Sequence, residues 1–477
     1  MFGIRFAVCW LAFALLLTGC SASVPGNRHT AAEQPRSALK VLYGTSEIGS
    51  EAVIDAARRY EQLTGIPVEV STFGYDNLQG KVMSELTRRS GEYDLVAMDA
   101  SWMPLLLPHI EPLSAYIRGV QGALAEDLAL NDFIPKVFFD AAVFDADRPQ
   151  RRWAGDGELL LENIEAEGFD VFALPIHANA AMGTYRKDLF RSRHHREAFL
   201  ERYGRELDVP LTIEQYSDIA RYFTGYARGD RSTLYGTTLM AARSESNVVE
   251  FLSFLGAYGG ELLDSDLRPV FQREEGVEAL EEYGRWLNAY KIAPPEALSF
   301  TWEEAAIVFG SGQTAMGLNY YEMELNPKIR GGETGYFPFP GTEREGQVRR
   351  GPQLTTWGLG VNKHSGRKEE AFRLLAYLTG KETQSHSLRF KHHVTRFSAY
   401  EQTASLLIAA DREYYGVLGQ SLEIGVVRPR LVRYSQVSDV LQGAIRDYLI
   451  GQGDAPTVLR DAAERVDAIV RQELLSR

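Results

Sequence analysis

From Leu39 to Tyr43 the chain is apolar except for one lysine. Ala52, Val53, Ala56, Ala57, Tyr60 and Leu63 then recur at helical spacing until Gly65. The first pattern is that of a short buried strand. The second puts one apolar stripe on a helix that a glycine ends. Ile66–Val70 reads as a second strand, with Pro67 near its opening where a sheet tolerates proline. Leu78–Arg89 reads as a second amphipathic helix and Tyr93–Met98 as a third, buried strand. Strand, helix, strand, helix, strand predicts an α/β fold with a mostly parallel sheet. Ligands of such sheets bind beyond the carboxyl ends of the strands, positions held here by Thr45–Gly49 and Asp99–Trp102.

Further along, Asp140–Gly168 is polar, charged and without a period, so a surface excursion is expected there, followed by an apolar strand at Phe172–Pro175. Thr212-Ile213-Glu214-Gln215 and Thr301-Trp302-Glu303-Glu304 have the order of capping boxes, opening helices that run to Phe223 and Gly310. Thr314–Asn319 and Gly358–Asn362 read as strands, Lys368–Thr379 as a helix, and the chain from Lys381 as largely helical, ending in Thr457–Leu475. No internal repeat interrupts this order.

The first twenty residues differ in kind. One arginine precedes the unbroken apolar run Phe6–Leu17, which is too short to span a bilayer and suits a signal-peptide core. The run ends in Leu17-Thr18-Gly19-Cys20, which resembles the bacterial lipobox. That resemblance implies cleavage before Cys20 and lipidation of its thiol. Two or more acyl chains anchor a protein stably where one does not. Residues 1–20 are therefore expected to be a lipoprotein signal peptide. Residues 21–37, polar and aperiodic, are expected to form a flexible tether spanning roughly 20–25 Å.

Composition narrows the function. A length of 477 residues exceeds what one hydrophobic core usually serves. The formal charge of −13 argues against nucleic acid or anionic lipid as the main partner, since both need a basic surface. The two cysteines lie at positions 9 and 20, leaving the body without a disulfide or thiolate metal site. His-Glu-x-x-His, Gly-x-Ser-x-Gly, the P-loop and Gly-x-Gly-x-x-Gly are all absent. The adjacent acids Glu303 and Glu304 point about 100° apart on a helix and make no glycosidase pair. His194, His195, His386, His392 and His393 sit in charged segments and are expected on the solvated surface. No catalytic residue, metal ligand or cofactor is expected.

Five segments, in order, resemble family 1 extracellular solute-binding proteins, the group that includes maltose-binding proteins. They are Tyr60–Val70 with Tyr93–Val96; Ala173-Leu174-Pro175 followed by Gly183–Phe190; Phe309–Met316 with its Phe-x-x-Gly-x-x-Ala-Met order; Trp357–Ser365; and Glu370-Ala371-Phe372 through Thr379. Asp140–Gly168 departs from the family pattern. The resemblance implies a two-lobed, periplasmic-binding-protein-like α/β fold with a hinge of crossing strands. Lobe 1 is expected at 38–175 and 338–380, and lobe 2 at 176–337 and 381–477.

It also implies a cleft that grips a small solute, expected to be a mono- or oligosaccharide, and delivery of that solute to an ABC permease by a monomeric, membrane-anchored protein. A sugar site needs flat apolar faces for the ring and hydrogen-bonding groups for the hydroxyls. The candidates at strand ends and helix starts are Glu47, Tyr75, Asp99, Trp102, Trp302, Tyr320, Tyr321 and Trp357, with Asn77, His177, Asn179 and the Tyr258-Gly259-Gly260 turn weaker. Each also has a plainer reading: Glu47 as a helix-dipole partner, Asp99 as a cap, Trp102 as packing. Two other functions fit the same sequence: a sensor that presents its ligand to a membrane receptor kinase, and a surface glycosidase.

Overall fold

The computed structural model describes residues 37–45, 49–153, 159–224, 226–227, 233–320, 323–326 and 333–475. The expected leader, Cys20 and the tether up to residue 36 lie outside them. Ala38–Arg477 form one contact unit.

Strand β1 (Leu39–Gly44) pairs in parallel with β2 (Val68–Phe73) on one side and β3 (Leu95–Asp99) on the other. Between them run helices α1 (Ser50–Thr64) and α2 (Tyr75–Thr87). Gly65, at φ 68°, ends α1 in the left-handed conformation that glycine adopts without steric cost. The long strand Gln353–Val361 then joins β3 antiparallel, and the strand Leu174–Ala180 pairs with it on its other side. A second sheet places Met182–Arg186 between Met316–Asn319 and Thr334–Pro338, all antiparallel. Only Ala181 separates Leu174–Ala180 in the first sheet from Met182–Arg186 in the second, so the chain crosses between sheets at that residue. It crosses back between Thr334–Pro338 and Gln353–Val361.

The buried apolar side chains divide accordingly. One core gathers Leu39, Val41, Val96, Met98, Phe138, Trp357 and Leu375. Another gathers Phe199, Tyr216, Phe254, Trp286, Phe337, Leu441 and Val466. A smaller cluster at the crossing joins Ala178, Ala180, Met182, Tyr336 and Leu354 to Leu388, Val394, Tyr414 and Leu422. The fold is two-lobed, with crossing strands between the lobes.

Residues 140–153 and 159–168 hold more regular structure than expected. A helix from Pro135 to Ala142 runs into the excursion, Val143–Phe144 pair with Asp170–Val171, and Leu161–Ala166 form a helical turn. Polarity hid these elements because the segment is held by charge. Arg152 donates to Asp140 (2.9 Å) and to the Arg428 carbonyl. Arg430 donates to the carbonyls of Val143 (2.8 Å), Phe139 and Asp140.

Three histidines expected at the surface are buried: His195, His392 and His393. Lys391, at φ 55°, turns the chain inward, and the His393 carbonyl then accepts from Ala178 N–H (3.2 Å). Arg389 precedes that turn, and Arg396, beyond it, is itself buried; the His195 ring packs edge-on against Tyr222 and Phe223.

Candidate functional site

The carboxyl end of β3, the crossing strand and the long strand meet at one cavity. Asn179 stands opposite Thr355, and His177 opposite Trp357. Side chains two apart on a strand share a face, and Asn179, Thr355 and Trp357 line the cavity together. Tyr75, from the first turn of α2, and Asp99, at the end of β3, complete the first lobe's wall. Glu245, Val249, Trp302 and Tyr320 form the second lobe's wall, and Arg428 closes it.

Capping explains how Trp302 is placed. Glu304 Oε2 accepts from the Thr301 N–H (2.8 Å) and hydroxyl (2.6 Å), fixing the start of the helix Trp302–Gly310. Asn319 Nδ2 holds the Trp302 carbonyl (3.0 Å). The Trp302 ring meets Tyr75 edge-on at 5.3 Å, and Tyr75 meets Trp357 at 5.9 Å and 87°. Aromatic faces of both lobes therefore converge. The cavity among them has a volume of about 30 Å³, room for roughly two waters and no sugar ring.

The polar half of the site is an ion-pair network. Arg428 Nη2 lies 2.6 and 2.7 Å from the two oxygens of Asp99, and Nη1 lies 3.0 Å from Glu245 Oε1. Asp99 also accepts from the Ser101 N–H (2.8 Å) and the Tyr75 hydroxyl (3.3 Å). Glu245, in the first turn of the helix Glu245–Tyr258, accepts from the hydroxyls of Tyr434 (2.7 Å) and Ser438. The helix N-terminus favours its charge. Burial opposes the charge on Arg428, but Asp99 and then the groups around it hold the guanidinium well above its usual range. Burial, with Asp99 and Glu245 nearby, raises the Tyr75 phenol well above its usual range and keeps it a donor. The network saturates both carboxylates. Asn179 Oδ1 is different: it is buried with no partner among the described residues, while Nδ2 donates to the Tyr320 carbonyl (3.4 Å).

Of the eight sequence candidates, Tyr75, Asp99, Trp302, Tyr320 and Trp357 line this cavity. Glu47 and Tyr321 lie outside the described residues. Trp102 packs edge-on beneath Trp357 at 5.3 Å and borders a neighbouring cavity with Asp76 and Arg243. Asn77 is exposed on α2, away from the cavity. Gly259, at φ 86°, caps its helix, which is the turn role of that motif. His177 lies beside the site, stacked on His393 at 4.7 Å. Glu245 and Arg428 were not foreseen. The signal available was Arg428-Pro429-Arg430 breaking an otherwise helical tail. No group of His, Cys, Asp or Glu among the described residues is arranged to hold a metal ion, and no helix among them is long and apolar enough to cross a membrane.

A cavity walled by two α/β lobes that the chain crosses repeatedly is the architecture of a hinged ligand-binding protein. The pattern of the bacterial extracellular solute-binding protein family matches residues 44–385, and the chain belongs to that family. Among solved structures, the maltose-bound protein of T. maritima has a TM-score of 0.71 at 22% identity, covering 90% of this chain and 99% of its own. A solute-binding protein of Agrobacterium radiobacter in complex with ribitol has a TM-score of 0.70 at 20% identity, covering 91% of this chain and 99% of its own. A probable amino-acid ABC transporter periplasmic-binding protein of Sinorhizobium fredii is 22% identical over 69% of this chain, which spans 66% of that relative's length. A mannitol-binding protein of Pseudomonas aeruginosa is 22% identical over 63% of this chain and 59% of its own.

Proposed function

We propose that this chain is an exported, lipid-anchored solute-binding protein that captures a mono- or oligosaccharide or polyol between its lobes and delivers it to an ABC permease. The observation that carries this reading is the convergence of Tyr75, Trp302 and Trp357 from both lobes on one cavity, with Asn179 Oδ1 left without a partner. Once the lobes part to admit a ring that the cavity of about 30 Å³ does not hold, the aromatic side chains supply stacking faces for a sugar, and the amide oxygen supplies an acceptor for a hydroxyl. Relatives and structural neighbours whose names mention maltose, ribitol and mannitol support the same class. The lobes are taken as 38–175 with 338–380 and 176–337 with 381–477, acting in a monomer. Ligand contacts to both lobes favour the closed form over the open one. Cys20, at the end of the lipobox, is the proposed anchor.

The test is titration of the purified body, residues 38–477, with a panel of sugars and polyols, followed by tryptophan fluorescence. A saturable change is expected with at least one member, and it should be lost in Trp302→Ala. No response to any sugar or polyol, alongside a response to another solute class, would overturn the saccharide assignment. Labelled fatty acid should enter the full-length chain in bacteria and fail to enter Cys20→Ala.

A further inference from the structure

The cavity's charge is lopsided. Among the described residues that line it, the acidic and basic side chains are Asp99, Glu245 and Arg428, a formal sum of −1. All three are buried. Glu250, near Tyr320, does not add to this, because burial pushes its pKa up to about 8. Arg428 is already counted in that sum, and it is held in place: its guanidinium is shared between both carboxylates and lies against the Tyr434 ring at 5.8 Å. Its backbone is pinned by Arg152, and its neighbour Arg430 is held on four carbonyls of the 139–151 segment. The surplus negative charge faces the rings of Tyr75, Trp302 and Trp357, whose π faces also attract cations.

We propose that the site selects polyhydroxylated ligands carrying a protonated amine, such as amino sugars or amino alditols, over neutral ones, and rejects those carrying a carboxylate. The inference rests on the saccharide reading above. A buried charge is offset by an opposite charge or it costs free energy. An ammonium entering this cavity brings the sum to zero, a neutral polyol leaves it at −1, and a carboxylate makes it −2. The hydrogen bonds that saturate Asp99 and Glu245 do not remove their charge, which acts through space in a water-poor cavity.

The experiment uses one carbon skeleton in three charge states: 1-amino-1-deoxyglucitol, glucitol and gluconate, with glucosamine, glucose and glucuronate as the ring counterparts. Affinities are measured by calorimetry at pH 7. The amine is expected to bind roughly tenfold or more tighter than the neutral ligand, and the acid roughly tenfold or more weaker. The ranking should persist in 0.5 M salt, at roughly the ionic strength where the protein's acidic exterior is screened. In Glu245→Gln the amine and neutral ligands should converge; the wild-type ranking stands as a test by itself should that variant not fold. Neutral binding with no gain for the amine, or a gain that salt abolishes, overturns this inference and leaves the saccharide reading intact. No binding by any sugar or polyol in any charge state removes both.

Discussion

At the scale of single residues, the site is built from a charge network whose members are far apart in sequence. Arg428 and Asp99 are 329 positions apart, and Arg428 and Glu245 are 183 apart. Removing one partner of a buried pair strands the other, which costs about 3–5 kcal/mol. Asp99→Asn is therefore expected to lower the unfolding free energy by about 3 kcal/mol, the low end because Glu245 still faces Arg428. Urea unfolding checks this through a lower midpoint at unchanged slope. The aromatic members of the site were legible because Tyr75 and Trp302 stand at helix starts, which local pattern locates; Trp357 borders the apolar run Gly358–Asn362 but lies mid-strand, since pairing extends the strand back to Gln353. Arg428 and Glu245 were not, since a charged residue beside a helix reads as surface until its distant partner is known. The expected role of Asp99 changes for the same reason. Its oxygens are occupied by Arg428, Ser101 and Tyr75, and the free acceptor is Asn179.

At the scale of elements, local rules reached further. The helix Lys368–Thr379 has the bounds its pattern predicts, and α1 stops at the glycine that ends its apolar stripe. The two capping signals both open helices, at Ile213 and Trp302, though the first closes differently: Gln215 accepts from Leu211 N–H (2.8 Å) instead of the cap residue. Because Thr301 caps the helix that begins at Trp302, Thr301→Ala is expected to cost about 1 kcal/mol of stability. It should also weaken ligand binding, because the first turn carrying the Trp302 ring frays. Equal loss of stability with unchanged affinity would separate the cap from the site. Strand ends were read less well: β2 begins at Val68, two residues later than its apolar run, because Leu39 N–H takes the Pro67 carbonyl and pairing starts beyond the proline. The short pair Val143–Phe144 with Asp170–Val171 was hidden by the charged residues around it.

At the scale of the whole molecule, the sheet crossing at Ala181 and the return before Gln353 could be expected only from the order of family motifs, because no local pattern records which sheet a strand joins. The crossing also carries the feature most sensitive to solution conditions. His177, His392 and His393 cluster there with ring centroids 4.7 and 5.2 Å from His177, and neither His177 nitrogen has a partner among the described residues. His392 Nε2 bonds the Ile176 carbonyl (2.7 Å), and His393 Nε2 bonds the Tyr414 hydroxyl. Burial, reinforced by the neighbouring imidazoles, holds His177 well below its usual range. Burial lowers His392 to about 4 and His393 to about 3. In the unfolded chain each titrates near 6.5. The unfolded state thus binds more protons between these values, so stability is complete above about pH 6.5 and falls as the pH drops toward 4. His392 and His393 each contribute about 2 kcal/mol to that loss at pH 5. Stability measured by urea between pH 7.5 and 5 is expected to fall, with Glu250, raised by burial to about 8, offsetting about one proton of the histidine slope, and His177→Phe should reduce the slope by about one. Burial raises Asp145 and Glu304, but hydrogen bonds outweigh it and hold both low, so they release their contribution only below this window. A slope that His177→Phe leaves unchanged would therefore mean that the His177 ring is charged or solvated in the folded protein, contrary to its packing at the crossing.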